Sequence, residues 1–403
     1  MAKRIRARGE DVRKYILEHL EKHPHDLTKT VADHFGITRQ AVNKHLQRLR
    51  SEHAVVESGQ TRNRTRKLAT LAEWDKAYAI VPGLAEDLVW RDDVSKVIGD
   101  MPENVLAIWH YGFTEMFNNA LDHSAGTNVY LAIRRNAVDT EMVMHDNGVG
   151  IFKKIQTELG LLDERHAILE LAKGKLTTDP KRHTGEGIFF SSRMFDQFDI
   201  LSGGIFFTHK FEADDWILER DQFRDGTSVW MKLNNHTSRT TTKIFNQYST
   251  GDEYGFTKTV VPVNLARYGN ENLISRSQAK RLLARVELFR TVLFDFNDVP
   301  TIGQAFADEI FRVFAASHPK IELVPIHANS EVKKMIDRAR SVDSEGSSQN
   351  PSRGVDQPAT AFLRPWVSRW PVAGSSSARQ RLGSVRSLSW LSPGLGRGAR
   401  MSP

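Results

Sequence analysis

Four short polar segments lie between long apolar runs and constrain this chain more than anything else in it. They are Glu115-Met-Phe-Asn-Asn119, Asp146-Asn-Gly-Val-Gly150, Gly185-Glu-Gly187 and Asp225-Gly-Thr227. The first falls within a helix spanning roughly Met101 to His123, by its apolar spacing. Trp109, Phe113, Met116, Phe117 and Ala120 share one side of it, while Glu115, Asn118, Asn119 and Asp122 share another. Glu115 and Asn119 stand one turn apart, so a carboxylate and a carboxamide can act together. A hairpin follows, Val129–Ile133 and Glu141–Met144, with a turn from Asn136 to Asp139. Its second strand runs into Asp146, where Gly148 and Gly150 allow close backbone approach and unusual dihedrals. Gly185 and Gly187 open a helix, Ile188–Phe195, whose first N–H groups form a natural anion site. Phe198–Leu201, Ile205–Phe207 and Ser228–Leu233 read as strands, with Gly226-Thr227 directly before the last. Taken singly, each segment has a bland reading: a solvated helix face, a generic Asp-Asn-Gly turn. No Gly-Lys-Ser/Thr closes a six-residue glycine frame, so this is not a Walker loop.

In this order, the four segments resemble the ATP-binding domain of histidine kinases, gyrases, heat-shock chaperones and MutL (the GHKL superfamily), over roughly residues 95–235. The resemblance implies ATP and Mg²⁺ as ligands. It implies that Asn119 supplies a metal-ligating oxygen, that Glu115 acts as general base, and that Asp146 accepts from the adenine amino group. Gly148, Gly150, Gly185, Gly187 and Thr227 would complete the nucleotide site. Residues 152–184 would form a mobile lid whose Lys153, Lys154, Lys173, Lys175, Lys181 and Arg182 face phosphates, Lys181 foremost. A sensor histidine kinase also needs a helical hairpin bearing a phosphorylatable His. No such hairpin precedes Glu115, and 71–94 reads as a short connector, which argues against autophosphorylation on histidine.

Charge divides the chain. The net charge is +7, yet residues 1–70 hold 16 Lys/Arg and 8 Asp/Glu (+8), residues 341–403 hold 8 Arg and 3 Asp/Glu (+5), and the remainder carries −6. The basic amino end points to an anionic partner. Three helices are expected there: residues 9–21, Leu27–Phe35 with Gly36 as its stop, and one opened by Thr38. The third keeps Val42, Leu46 and Leu49 on one stripe and leaves Arg39, Gln40, Asn43 and Lys44 outside it. A basic loop, Thr61–Lys67, follows and contains Arg62 and Arg64. The arrangement in residues 1–70 resembles a winged helix-turn-helix, which implies double-stranded DNA as partner. Helix side chains would read base edges, and the wing would meet phosphates.

Residues 236–255 are rich in Thr, Ser and Asn and read as a linker. Beyond it, strands and helices alternate: a strand at Thr259–Leu265, a helix at Ser275–Leu288, a strand at Arg290–Phe296, a helix at Thr301–Ala315, a strand at Ile321–Pro325 and a helix at Ser330–Arg340. That is the pattern of a small α/β layer structure. Residues 256–340 resemble a STAS-like domain, implying a protein partner and making Thr301 either a phosphoacceptor at a helix start or simply its cap. Residues 341–403 are rich in Ser, Gly, Arg and Pro and read as a disordered tail.

The fold class expected is therefore multidomain α+β: an amino-terminal winged helix, a central two-layer α/β sandwich of the GHKL type, a small STAS-like α/β domain and a tail. The function expected is an ATP-binding signalling or transcriptional regulator that hydrolyses ATP or phosphorylates Ser/Thr to control DNA or partner binding. The alternative is a non-enzymatic DNA-binding regulator for which ATP is only a conformational ligand. No run approaches the roughly 18 apolar residues of a membrane span. The chain has no cysteine, which suits a cytoplasmic setting. A homodimer stays open.

Overall fold

The computed structural model describes residues 2–58, 65–176, 185–211, 216–249, 255–267 and 271–345. Three helices begin the chain: α1 (Ala2–His19), α2 (Leu27–Phe35) and α3 (Arg39–Ser51). Gly36 ends α2 in the left-handed conformation, and its N–H donates to Ala32 O. Thr38 starts α3, its hydroxyl accepting from Ala41 N–H at 3.2 Å. Strands β1 (Val55–Ser58) and β2 (Thr65–Leu68) then pair antiparallel. Val12, Ile16, Leu20, Val31, Val42, Leu46 and Leu49 form a hydrophobic cluster belonging to this segment alone.

The centre is a five-stranded antiparallel sheet in the order β3-β4-β5-β7-β6. Its strands are β3 (Ala72–Ala79), β4 (Asn128–Arg135), β5 (Asp139–Asp146), β6 (Gln197–Lys210) and β7 (Trp216–Asn234). Segment 71–94, expected as a connector, instead supplies the edge strand β3 and most of a helix. That helix, α4, runs Glu86–Val89, makes a π turn at Trp90–Val94 and finishes at Ser95–Ile98. Apolar alternation did not mark β3, because most of its side chains stay in solvent. Backbone pairing with β4 holds it, together with buried Tyr78, whose hydroxyl donates to Asp93 at 2.6 Å. Strands β6 and β7 are longer than their apolar runs suggested, continuing through irregular pairing around Gly203.

Helix α5 (Glu103–His123) packs on this sheet. Ile108, Trp109, Phe113 and Phe117 are completely buried, in one core with Met142 and Met231. Each such side chain contributes about 1.5–3 kcal/mol. Gly112 is required by contact: a Cβ there would meet the Phe195 ring at 2.4 Å. Three further helices, α6 (Ile151–Leu159), α7 (Glu164–Lys173) and α8 (Gly187–Met194), join the layer. The expected lid is thus largely helical over its described part.

The stretch 236–255, expected as a linker, holds a helix as well, α9 (Thr241–Gln247), capped by Thr240. The carboxy-terminal domain has a three-stranded parallel sheet in the order β10-β9-β8, from β8 (Lys258–Pro262), β9 (Thr291–Asp295) and β10 (Glu322–Ile326). Helix α10 (Arg276–Leu283) carries a Ser275/Gln278 capping box and stops short of the expected Leu288. Helix α11 runs Gln304–Asp308, makes a π turn at Glu309–Phe314 and finishes at Ala315–Ser317. Helix α12 (Ser330–Glu345) extends five residues into the stretch expected to be disordered; residues 346–403 lie outside the described residues. Among the described residues, no helix is long and apolar enough to cross a membrane.

Candidate functional site

Four distant segments line one cavity of about 260 Å³ between the sheet and helices α5, α6 and α8. Glu115 and Asn119 come from α5, Asp146 and Gly150 from the end of β5, Gly185 and Gly187 from the start of α8, and Thr227 from β7. Register brings the last pair together. Antiparallel pairing of β5 with β7 sets Asp146 directly across from Thr227.

Asp146 is held firmly. It is buried, and its Oδ1 accepts from Gly148 N–H at 2.9 Å and Thr227 N–H at 3.3 Å. Burial raises its pKa, opposed by those two N–H groups. The Thr227 hydroxyl accepts from Ile151 N–H at 3.0 Å, linking β7 to the first turn of α6. The glycines here are steric requirements. A Cβ on Gly148 would lie 2.1 Å from Ser124 O, and one on Gly226 would lie 1.8 Å from Asp146 O, with φ +77° besides.

At the opposite end, Gly187 abuts Glu115. A Cβ on Gly187 would lie 2.0 Å from Glu115 Oε2. Gly185 has φ +71°, and its carbonyl accepts from Leu176 N–H at 3.0 Å across the ends of the lid. Glu186 is half-buried, and burial raises its pKa against the pull of Lys175.

Not every expected cation faces the cavity. Lys154 lines it and donates to His123 O at 2.8 Å. Lys153 is exposed. Lys173 and Lys175, expected at phosphates, instead donate to backbone carbonyls of the carboxy-terminal domain. Lys181 and Arg182 lie outside the described residues. Sequence reasoning missed Ser124, whose carbonyl accepts from Val149 N–H at 2.9 Å and so fixes the Asp146–Gly150 loop. The signal was present: a small polar residue just past a helix end, beside a glycine turn. Leu171, Leu176 and Ile155 are apolar lining whose position depends on how α6 and α7 pack.

The cavity thus offers a buried carboxylate acceptor beside close-approach glycines, apolar walls, and a carboxamide oxygen of the type that hard cations accept.

In the amino-terminal segment, Arg39, Gln40, Asn43 and Lys44 are all exposed on α3, opposite its buried stripe. Arg48 and Arg66 are engaged by Glu52 and Glu57, at 2.7 Å each. Arg62 and Arg64 lie outside the described residues.

Residues 278–333 match a family model described as a STAS-like domain of unknown function (DUF4325). The carboxy-terminal domain is STAS-like. No curated protein matches the chain. Within this domain Thr301 does not cap the following helix, contrary to one expectation. Helix α11 starts at Gln304 with Gly303 at the cap position, and Thr301 stands exposed three residues before it. The intervening Ile302 is held in a bridge to Leu273, which delays the helix.

Proposed function

We propose that the chain is an ATP-binding regulator whose middle domain is of the GHKL type, flanked by a winged helix-turn-helix and the STAS-like domain. One observation carries the reading: Glu115, Asn119, Asp146, Gly185, Gly187 and Thr227, drawn from four segments, line a single cavity. Bound Mg·ATP would supply the transferable phosphoryl group and a charge-neutralising cation. Asp146, held on its Oδ1 by two N–H groups, presents a fixed acceptor to the base. Asn119 offers its carboxamide oxygen to the cation. The backbone N–H groups at the start of α8 would meet the phosphates. Glu115, one turn before Asn119, would take the proton of a water or hydroxyl nucleophile.

Phosphate release by wild type and Glu115→Ala, beside calorimetric titration with Mg·ATP, tests this. Turnover in wild type that falls at least a hundredfold in the variant, with binding retained, supports an ATPase or Ser/Thr kinase. Equal background turnover with retained binding supports a conformational switch. No heat of binding and no thermal shift would remove the nucleotide reading. The exposed Arg39, Gln40, Asn43 and Lys44 support duplex DNA as the ligand of the first domain. The STAS-like domain supports a protein partner.

A further inference from the structure

Lys173 ends helix α7 and retains 1% exposure. Its ammonium donates to Glu170 Oε1 at 2.7 Å, Ala284 O at 2.7 Å and Arg281 O at 3.2 Å. All three protons are therefore matched, as a desolvated ammonium requires. Arg281 and Ala284 stand at the carboxyl end of α10, where helix carbonyls carry partial negative charge; Arg281 O also accepts from Ala284 N–H. The Thr259 hydroxyl on β8 donates to Lys173 O at 2.6 Å.

The same few residues are gripped again immediately afterwards. Lys175 Nζ donates to Leu288 O at 3.0 Å and sits 4.9 Å from the Phe289 ring centroid. Arg285 donates to Lys175 O and lies 3.5 Å from Glu170 Oε2. Gly174 is pressed against Phe256, which a Cβ would meet at 2.6 Å. Lys175 and Arg285 both hold positive φ, +52° and +63°. Holding two non-glycine residues there costs about 1–2 kcal/mol each, so the contacts around them must fix it.

This anchored stretch lies inside the cavity wall. Leu171 and Leu176 line the cavity on either side of Lys173, and Leu176 N–H donates to Gly185 O at the start of the phosphate-side loop. From α8, Arg193 donates to Ala172 O at 3.3 Å and stacks 3.6 Å from the Phe189 ring centroid. We propose that the STAS-like domain positions the phosphate-side wall of the cavity, with Lys173, Lys175 and Arg285 as positioning residues that touch no ligand. The inference rests on the nucleotide reading only for the identity of what the wall contacts. Any displacement of the STAS-like domain, such as engagement of its own partner, would move residues 173–176 and with them Gly185. By reciprocity, nucleotide would alter the affinity for that partner.

Amide hydrogen exchange and Mg·ATP calorimetry on the full chain test the claim, with Thr259→Val and Arg285→Gly. Thr259→Val is nearly isosteric. Arg285→Gly suits the existing positive φ, so neither change threatens the fold. Thr259→Val removes one buried hydrogen bond, and Arg285→Gly removes a hydrogen bond and the ion pair to Glu170, so each loses at least about 1.4 kcal/mol, which corresponds to roughly tenfold. Exchange at 171–176 and 185–189 is expected to rise about tenfold in each variant, with 139–146 unchanged and nucleotide affinity weakened by a similar factor. Unchanged exchange at 171–176 and 185–189 in both variants overturns the proposal and leaves the contact as simple domain adhesion. Should wild type give no nucleotide heat, the nucleotide reading falls, and the exchange result alone decides whether the wall is positioned from the STAS-like domain.

Discussion

Gly187→Ala separates a structural from a chemical role for the glycine beside Glu115. Gly187 is the first residue of α8, and its φ is not in the left-handed region. Alanine therefore fits the backbone and should leave stability unchanged or raise it by up to about 1 kcal/mol. The new methyl, however, would lie 2.0 Å from Glu115 Oε2 and 2.8 Å from its Cδ. To restore ordinary contact the carboxylate must withdraw by more than about 1 Å, and misplacement on that scale costs on the order of a hundredfold in rate. Urea unfolding, calorimetry and phosphate release would be measured together. Stability within 1 kcal/mol of wild type, Mg·ATP affinity reduced less than about fivefold, and turnover reduced about a hundredfold is the expected set. Turnover at the wild-type level with stability preserved would refute the placement of Glu115 as the proton acceptor.

Other perturbations have equally definite signs. Gly226→Ala forces a Cβ to 1.8 Å from Asp146 O at φ +77°. The strain and the lost Thr227 and Ile151 hydrogen bonds should together cost about 3 kcal/mol and abolish nucleotide binding, and unfolding and titration at wild-type values would contradict this. Asp199 on β6 is buried, and burial pushes its carboxyl up to about 6 from 3.8, against hydrogen bonds from Thr208 and Gln197. The native state binds this proton more tightly than the unfolded chain, so stability falls as pH rises through that window, by about 3 kcal/mol in full. Asp199→Asn should remove that slope, and an unaltered difference between wild-type and variant stability at pH 4.5 and pH 7 would argue against it. Arg39→Ala and Lys44→Ala should each weaken binding to a preferred duplex by about 1–3 kcal/mol and relax base preference, as fluorescence anisotropy on a panel of duplexes would read; unchanged affinities would place DNA elsewhere.

Legibility followed chemistry. Glu115, Asn119, Asp146 and the glycines could be read because each segment combines a polar group with a local backbone demand: one helical turn, one tight loop, one helix start. The caps at Gly36, Thr38 and Ser275 were readable for the same reason, since a cap is satisfied within four residues. Strand β3 was not, because its side chains mostly face solvent and its ladder partners lie 49 to 63 residues away on β4. Thr301 misled because the apolar pattern starts before the helix does, Ile302 being taken by Leu273.

By itself, the sequence determined which polar segments stand out from the apolar runs, where charge accumulates and how the secondary elements alternate. These depend on composition and near-neighbour geometry. Tertiary structure alone decided that Asp146 faces Thr227, through strand register, and that Gly187 rests on Glu115. It also decided that Lys173 and Lys175 turn toward helix α10 and Leu288 rather than into the cavity. A lysine in a lid reads the same whether its ammonium meets phosphate or a helix carbonyl; only the packing of α7 against a domain about a hundred residues further along the chain distinguishes them, because desolvation sends a buried ammonium to the acceptors it can reach.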